Sequence, residues 1–334
     1  MQSRSTEAVE DILKFNEVGR LALPASGVPR RRLALGIGVF DGVHRGHQAI
    51  VRELVELAHR TGAVPAALTF DPHPRAVLHP DEPPTLLIPL RERVRLLRTA
   101  GAEVVWVARF TPEFAALEPG EFLDRLLGLS ELELTGICVG EHWRFGRCGA
   151  GDCGFLRNYC AKRGVELSAC PEVTLDGETV SSSAIRLAVA TGRLDRAAAM
   201  LGRRYRLFGV VEHGYRVASG KLECPTANLS FSAGVLPPDG VYAAAVRREG
   251  RIFPAAVNVG ECPTFGYEQA VRRVEAHLLD FSGNLYGSEL EVEFLDYLRE
   301  ERTFAGAEEL RAQIGRDLNR IRQLFSTYQE EEEN

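Results

Sequence analysis

Leu33-Ala34-Leu35-Gly36-Ile37-Gly38-Val39-Phe40-Asp41-Gly42-Val43-His44-Arg45-Gly46-His47-Gln48 is the stretch whose reading decides the fold. The apolar run over 33–40 reads as a buried strand, and Asp41-Gly42 as the glycine turn that ends it. Beyond the turn, Ile50, Leu54, Leu57 and Ala58 recur at helical spacing until Gly62 stops them, so a helix is expected to begin at about His47. The same unit repeats outward from there. VPAALTF (64–70), EVVWVARF (103–110), TGICVG (135–140) and VELSAC (165–170) read as strands, with helices expected around 89–100, 119–128 and 151–163. Strand–helix alternation predicts a doubly wound, Rossmann-like α/β domain with a parallel sheet and helices on both faces. Ligands of such sheets sit at the carboxyl ends of the strands, where the turn just quoted falls.

The pattern changes after residue 190. A helical stretch, DRAAAMLG (195–202), precedes the short strand candidates YRLFGVVEHG, VYAAAVRREG, RIFPAAVNVG, RRVEAHLLDF and LEVEFLDYL, separated by glycine and proline turns. Strands without intervening helices predict an antiparallel β-barrel. A last helix over roughly 306–327 carries Leu310, Ile314, Leu318 and Ile321 to pack on it, and the acidic end QEEEEN reads as a frayed, solvated tail. The expected division is a first domain over 1–190, a linker over 191–204 and a second domain over 205–334.

Composition narrows the function classes. A chain of 334 residues is comfortable for two domains, and its ordinary share of charged and hydrophobic residues argues against wholesale disorder. A formal charge of −6 disfavours nucleic acid as the main partner, because a polyphosphate backbone needs a basic face. No apolar run approaches the roughly 18 residues of a membrane span, and the first residues lack the apolar core of a secretory signal, so a cytoplasmic location is expected. The seven cysteines show no CxxC pair and read as incidental thiols rather than a zinc site.

The turn carries chemistry. Free N–H groups at a helix start attract phosphates, and glycines let a backbone approach a nucleotide without a Cβ in the way. His44 and His47 lie on one side of that helix start, where both could donate to phosphate oxygens; packing histidines or zinc ligands are the other readings of an isolated pair. Attack by one phosphate on the α-phosphorus of ATP suits such a site, since fixed donors meet the charge that grows there.

GVFDGVHRGHQ resembles the HxGH signature of nucleotidyltransferases in the form found in FMN adenylyltransferases. Three further motifs follow in that family's order: Thr69-Phe70-Asp71-Pro72-His73-Pro74, Gly140-Glu141-His142-Trp143-Arg144-Phe145-Gly146, and Val180-Ser181-Ser182-Ser183-Ala184-Ile185-Arg186. The resemblance implies ATP contacts from Gly38, Phe40, Asp41, Gly46, Ser182, Ser183 and Arg186, catalysis at His44 and His47, and flavin or phosphate contacts from His73 and Phe145. Taken alone, DPHP is a stiff turn and the serine run a helix N-cap. Relatives usually carry a small polar residue or Asp near His142, which leaves that histidine either functional or packed, and Trp143 or Phe145 either stacked on a flavin ring or in the core.

The second half resembles riboflavin kinase, through Pro225-Thr226-Ala227-Asn228, Asn258-Val259-Gly260, Pro263-Thr264-Phe265, the stretch Val274–Phe281 and Leu285-Tyr286-Gly287. That resemblance implies that Thr226 and Asn228 hold Mg²⁺ and ATP while Glu275 accepts the proton of the riboflavin 5′-hydroxyl. Read blind, Glu275 is a solvent-facing strand residue and PTAN a turn. The chain departs from the pattern at Arg216, Ala218 and Glu223, where glycine is usual, and Gly220-Lys221 is not a P-loop. The expected whole is a bifunctional enzyme of bacterial type that uses riboflavin, FMN and ATP; the alternative is an FAD synthetase whose kinase half has degenerated.

Overall fold

The structure, a computed structural model, describes residues 13–14, 31–128, 132–212, 227–262 and 271–333. It divides into two compact units, Met1–Pro84 with Leu90–Ser181, and Thr85–Pro89 with Ser182–Asn334.

The first unit runs β1 (Leu13–Lys14), β2 (Arg31–Ile37), α1 (Arg45–Thr61), β3 (Val64–Asp71), α2 (Pro74–Leu78), α3 (Leu90–Thr99), β4 (Val104–Arg109), α4 (Pro112–Ala115), α5 (Pro119–Leu127), β5 (Leu132–Gly140), α6 (Cys153–Ala161), β6 (Glu166–Cys170) and the small hairpin β7–β8 (Thr174–Leu175, Glu178–Thr179). The sheet order is β1-β4-β3-β2-β5-β6, every neighbouring pair parallel. The chain steps from β2 outward to β3 and β4, then returns to place β5 on the other side of β2. The order therefore reverses between β2 and β5, which makes their carboxyl ends the crevice of the sheet.

Both faces are covered, which is why the strands read as near-continuous apolar runs. Leu33, Leu35 and Ile37 of β2 point to a core shared with Phe122, Leu123 and Leu156, while Ala34 points to the other face with Leu54, Leu57 and Ala58 of α1. That second face is thin because two strand residues are glycine. A Cβ on Gly36 would lie 2.9 Å from Leu54 Cδ2, and one on Gly136 2.8, 2.9 and 3.1 Å from three atoms of buried Leu57. Gly136→Val is therefore expected to lower the stability of the first unit by about 1–3 kcal/mol through overpacking. The check is urea unfolding followed by the fluorescence of Trp106 and Trp143, the two tryptophans of the chain, both in this unit. A wild-type midpoint would mean that α1 can lift off the sheet freely.

The second unit runs α7 (Ser182–Ala190), α8 (Leu194–Leu201), β9 (Arg206–Glu212), β10 (Ala227–Ala233), β11 (Gly240–Arg248), β12 (Arg251–Cys262), β13 (Val271–Leu278), β14 (Glu289–Arg299) and α9 (Ala307–Glu333). Its described strands close an antiparallel barrel in the order β10-β13-β12-β11-β14-β9. Inward positions such as Val257, Val259, Val274 and Ala276 alternate with more exposed neighbours. Helix α9 covers β11, β12 and β14, burying Ile321, Phe325 and Tyr328 against Ala243, Ala245 and Leu279. Segment Thr85–Pro89 joins this unit through Gly234 N–H, which donates to Leu86 O at 2.8 Å.

The expected parallel sheet, barrel and last helix all form. Two details differ from the sequence reading. The strand β10 begins inside the PTAN motif, at Ala227, where only a turn was expected. The acidic end is a helical continuation of α9 through Glu333, with Glu331 paired to Arg204 at 2.8 Å, rather than a frayed tail. Thr226, Arg216, Ala218, Glu223, the Gly220-Lys221 pair and Pro263–Phe265 lie outside the described residues.

Candidate active site

At the carboxyl end of β2 the backbone turns sharply. Phe40 has φ 55°, Gly42 φ 84° and Val43 φ 40°, so two L-residues, one of them β-branched, occupy the left-handed region. Each such residue costs of the order of 1–3 kcal/mol and persists only where neighbours over-determine it. Here Val43 N–H donates to Phe40 O at 3.1 Å, Gln48 Nε2 donates to Val43 O at 2.9 Å, and the Thr69 hydroxyl donates to Val39 O at 2.8 Å. Phe40 is wholly buried, its ring edge-on to His47 at 5.2 Å.

This turn delivers His44 and His47 to the start of α1. His44 is the N-cap, its Nδ1 accepting from the His47 amide at 3.4 Å. That bond assigns the proton of a neutral His44 ring to Nε2, which makes Nε2 the donor nitrogen of the ring. The two rings stack at 3.6 Å with only 20° between planes. Gly46 makes the stack possible, because a Cβ there would lie 3.1 Å from His44 Cε1. The Nδ1 atom of His47 is buried with no hydrogen-bond partner.

His47 titrates well below the usual histidine value, chiefly because burial disfavours its charge, with His44 and Arg93 adding repulsion. It stays neutral in the folded chain as pH falls through 6.5, where the unfolded histidine takes a proton. The unfolded state then binds more protons, so the contribution to stability is complete above about pH 6.5 and is lost as pH falls from there toward the folded value. His47→Gln should flatten this acid-side slope by up to about 1.4 kcal/mol per pH unit. Urea midpoints between pH 7 and 5 measure it, and an unchanged slope would remove His47 from the linkage.

Other residues anticipated from the sequence fall as follows. Gly38 N–H donates to Leu68 O at 3.1 Å, and Asp41 is a carboxylate only 1% exposed in the turn. His73 follows β3 and accepts the Arg75 amide on Nδ1 at 3.1 Å, capping α2 as His44 caps α1. Phe145 is buried and stacked on the partly buried Trp143 at 4.6 Å, in a core with Phe122, while the exposed Phe155 meets it edge-on at 6.1 Å. His142 is not a packing residue: its side chain is 71% exposed, between Glu141 and Glu172 at 3.8 and 3.9 Å, contacts too solvated to matter much to stability. Ser182 and Ser183 open α7 in the second unit, and Arg186 on the same helix donates Nε to Thr85 O at 2.7 Å.

Sequence reading missed Arg93. On α3, it is the largest fully buried side chain, 0% exposed. Its Nη1 donates to Phe70 O at 2.9 Å and Thr69 Oγ1 at 3.3 Å, while Nε and Nη2 have no partner.

In the barrel, register rather than sequence assembles the site. Asn228 of β10 pairs with Glu275 of β13, and Glu275 pairs with Asn258 of β12. Directly paired residues share a face, so Asn228, Glu275 and Asn258 form one polar row opposite buried Val257, Val259 and Val274. Asn258 Nδ2 donates to Glu301, a second residue that sequence reading did not mark, and Asn258 Oδ1 is buried without a partner.

Fold and site together define the class: a nucleotidyltransferase-type α/β unit followed by a closed antiparallel barrel. Comparison with known proteins gives the family. The family model described as FAD synthetase matches residues 29–184, and the one described as riboflavin kinase matches 201–325. Bifunctional riboflavin kinase/FMN adenylyltransferase of Pseudomonas fluorescens is 38% identical over 86% of this chain and 91% of its own. Its namesake in Haemophilus influenzae is 35% identical over 88% and 94%. A crystal structure named macrolide-efflux protein, from Streptococcus pneumoniae, superposes with a TM-score of 0.77 at 28% identity, covering 89% of this chain and 95% of that one. The chain belongs to the bifunctional riboflavin kinase/FMN adenylyltransferase family.

Proposed function

We propose that the barrel unit phosphorylates riboflavin to FMN and that the α/β unit adenylylates FMN to FAD, with ATP as donor in both steps. The observation that carries the second step is the stacked His44–His47 pair at the start of α1, at the point where strand order reverses. An FMN phosphate oxygen attacks the α-phosphorus of ATP, the P–O bond to the β-phosphate breaks, and pyrophosphate leaves. The His44 Nε2–H, the His47 ring and the positive end of the α1 dipole are fixed groups that favour that developing charge. Gly38, Phe40, Asp41 and Gly46 shape the turn, with His73 at the neighbouring strand end; a triphosphate role for Ser182, Ser183 and Arg186 is supported by the motif resemblance alone. Trp143, with part of its ring at the surface, is better suited than buried Phe145 to stack on a flavin.

For the kinase step, Glu275 takes the proton of the 5′-hydroxyl as its oxygen attacks the γ-phosphorus and ADP leaves. Mg²⁺ fits by donor chemistry: the Asn228 amide oxygen, with the Thr226 hydroxyl from the matched motif, is a hard ligand beside a carboxylate. When bound it would neutralise phosphate charge. The absence of a described helix long and apolar enough to cross a membrane agrees with small-molecule chemistry in the cytoplasm, and the efflux role in the name of the pneumococcal structure forms no part of this reading.

The test is to incubate the chain with Mg·ATP and either riboflavin or FMN and to separate the flavins by chromatography. FAD from both feeds supports both steps. FAD from FMN alone leaves an FAD synthetase, with Arg216, Ala218 and Glu223 as the reason for the lapsed kinase. No FAD from either feed overturns the proposal.

A further inference from the structure

Arg93 is the most costly side chain of the first unit to bury. A guanidinium keeps its charge at every accessible pH, and a buried charge is expensive unless paired and hydrogen-bonded. Only one of its three nitrogens is satisfied within the protein. Burial pulls its pKa down, and Asp41 and Asp71, at the ends of β2 and β3, oppose that pull. A residue serving packing alone would be better as leucine, since α3 already buries Val94 and Leu97 beside it.

What the side chain does is span two strand ends. Nη1 holds Phe70 O on β3 and the hydroxyl of Thr69, and that hydroxyl passes the connection on to Val39 O in the strained turn after β2. A Thr69 oxygen that accepts from Arg93 is oriented to donate to Val39, so the two bonds reinforce each other. The turn so held carries His44 and His47. The charged groups in the field of the cation are Asp41 in the turn, Asp71 at the end of β3 and, on α1, His47, whose own ring neighbour is His44.

We propose that Arg93 is a positioning residue for adenylyl transfer, a buried cation that fixes the histidine-bearing turn from behind and keeps a positive field under the site where phosphate charge develops. The inference rests on the adenylyltransferase reading of this unit. Two nitrogens of Arg93 have no partner in the protein, and the hydrogen bonds at the third leave its full positive charge in place. Arg93 touches neither reacting group; it acts through Thr69, Val39 and the histidines.

Arg93→Met removes charge and bridge while keeping much of the volume; Arg93→Lys keeps the charge and loses the fork. Initial rates of FAD formation from FMN and Mg·ATP give kcat and KM, and the His47 Cε1 proton signal gives its titration by NMR. The expected result for Arg93→Met is a fall in kcat of roughly tenfold or more, with the KM for FMN changed much less. The His47 titration should rise measurably in Arg93→Met, where the Arg93 repulsion is gone, yet stay below the ordinary histidine range because burial is the larger cause, and it should not rise in Arg93→Lys; a packing role would not produce that difference. Wild-type kcat in Arg93→Met, or lost kcat with an unmoved His47 titration, overturns the proposal. Should Arg93→Met not fold, Thr69→Val cuts the bridge at nearly constant volume, and an unchanged kcat in that variant overturns it equally. Absence of FAD formation by the wild-type chain would be a failure of the adenylyltransferase reading, and the NMR titration still decides whether Arg93 acts on His47.

Discussion

His44→Ala should lower the rate of FAD formation from FMN by roughly 10²–10³-fold, the usual loss when one fixed donor is taken from a site of developing charge. The His44 side chain has two separable jobs. As N-cap, His44 accepts the His47 amide, and losing a cap costs about 0.5–2 kcal/mol of stability. As the proposed donor, it would use Nε2–H, the ring nitrogen that does not take part in the cap bond. It also forms one face of the ring stack that fixes His47. His44→Asn divides these contributions, because asparagine caps well but supplies no imidazole. The expected result is that Asn restores the urea midpoint lost in His44→Ala while FAD formation stays low. Recovery of the rate along with the midpoint would make His44 a structural cap and nothing more. Riboflavin phosphorylation, assigned to the other unit, should be unaffected in both variants.

How much of this could be read beforehand depends on how far apart in sequence the partners are. The parallel sheet was legible because each strand is an apolar run and each helix an amphipathic one, so local periodicity carried the signal. The histidine pair was legible for the same reason: turn, cap and helix start fit within Gly38–Gln48. Arg93 was not. In LRERVRLLRT the arginines look alike by composition, yet Arg91 and Arg95 are exposed while Arg93 is buried. The available clue was its position in the stripe of Leu90, Val94 and Leu97, where a charged residue breaks the apolar pattern. What it contacts, Thr69 and Phe70, is set only when α3 docks behind β3.

The barrel shows the same limit more strongly. ANLSFSA begins within the PTAN motif, which reads as a turn, and carries polar residues at alternate positions, so it gave little sign of being β10. It is a strand because β9 and β13 flank it, one of them far away in the chain. The row Asn228–Glu275–Asn258 exists only through that register, and a slip by one residue would turn Glu275 into the apolar interior. Family resemblance named roles for Asn228 and Glu275 and included Asn258 in a motif; the strand pairing explains why the three meet, and the Asn258 hydrogen bond adds Glu301.

Glu275→Gln should abolish FMN production from riboflavin, a loss of roughly 10²–10⁴-fold for a missing general base, while FAD production from added FMN continues at the wild-type rate. The amide is nearly isosteric with the carboxylate and can still donate and accept hydrogen bonds within the polar row, so the barrel has little reason to unfold. What it cannot do is take the proton that must leave the 5′-hydroxyl as the new P–O bond forms. Asn258→Ala provides the contrast. It touches the same row and the Glu301 contact but removes no base, so a partial loss is expected there. Riboflavin phosphorylation is measured by flavin chromatography, with FMN-fed reactions run in parallel. Equal losses in Glu275→Gln and Asn258→Ala would place Glu275 among the residues that merely order the row, and an undiminished rate in Glu275→Gln would move the base elsewhere in the barrel.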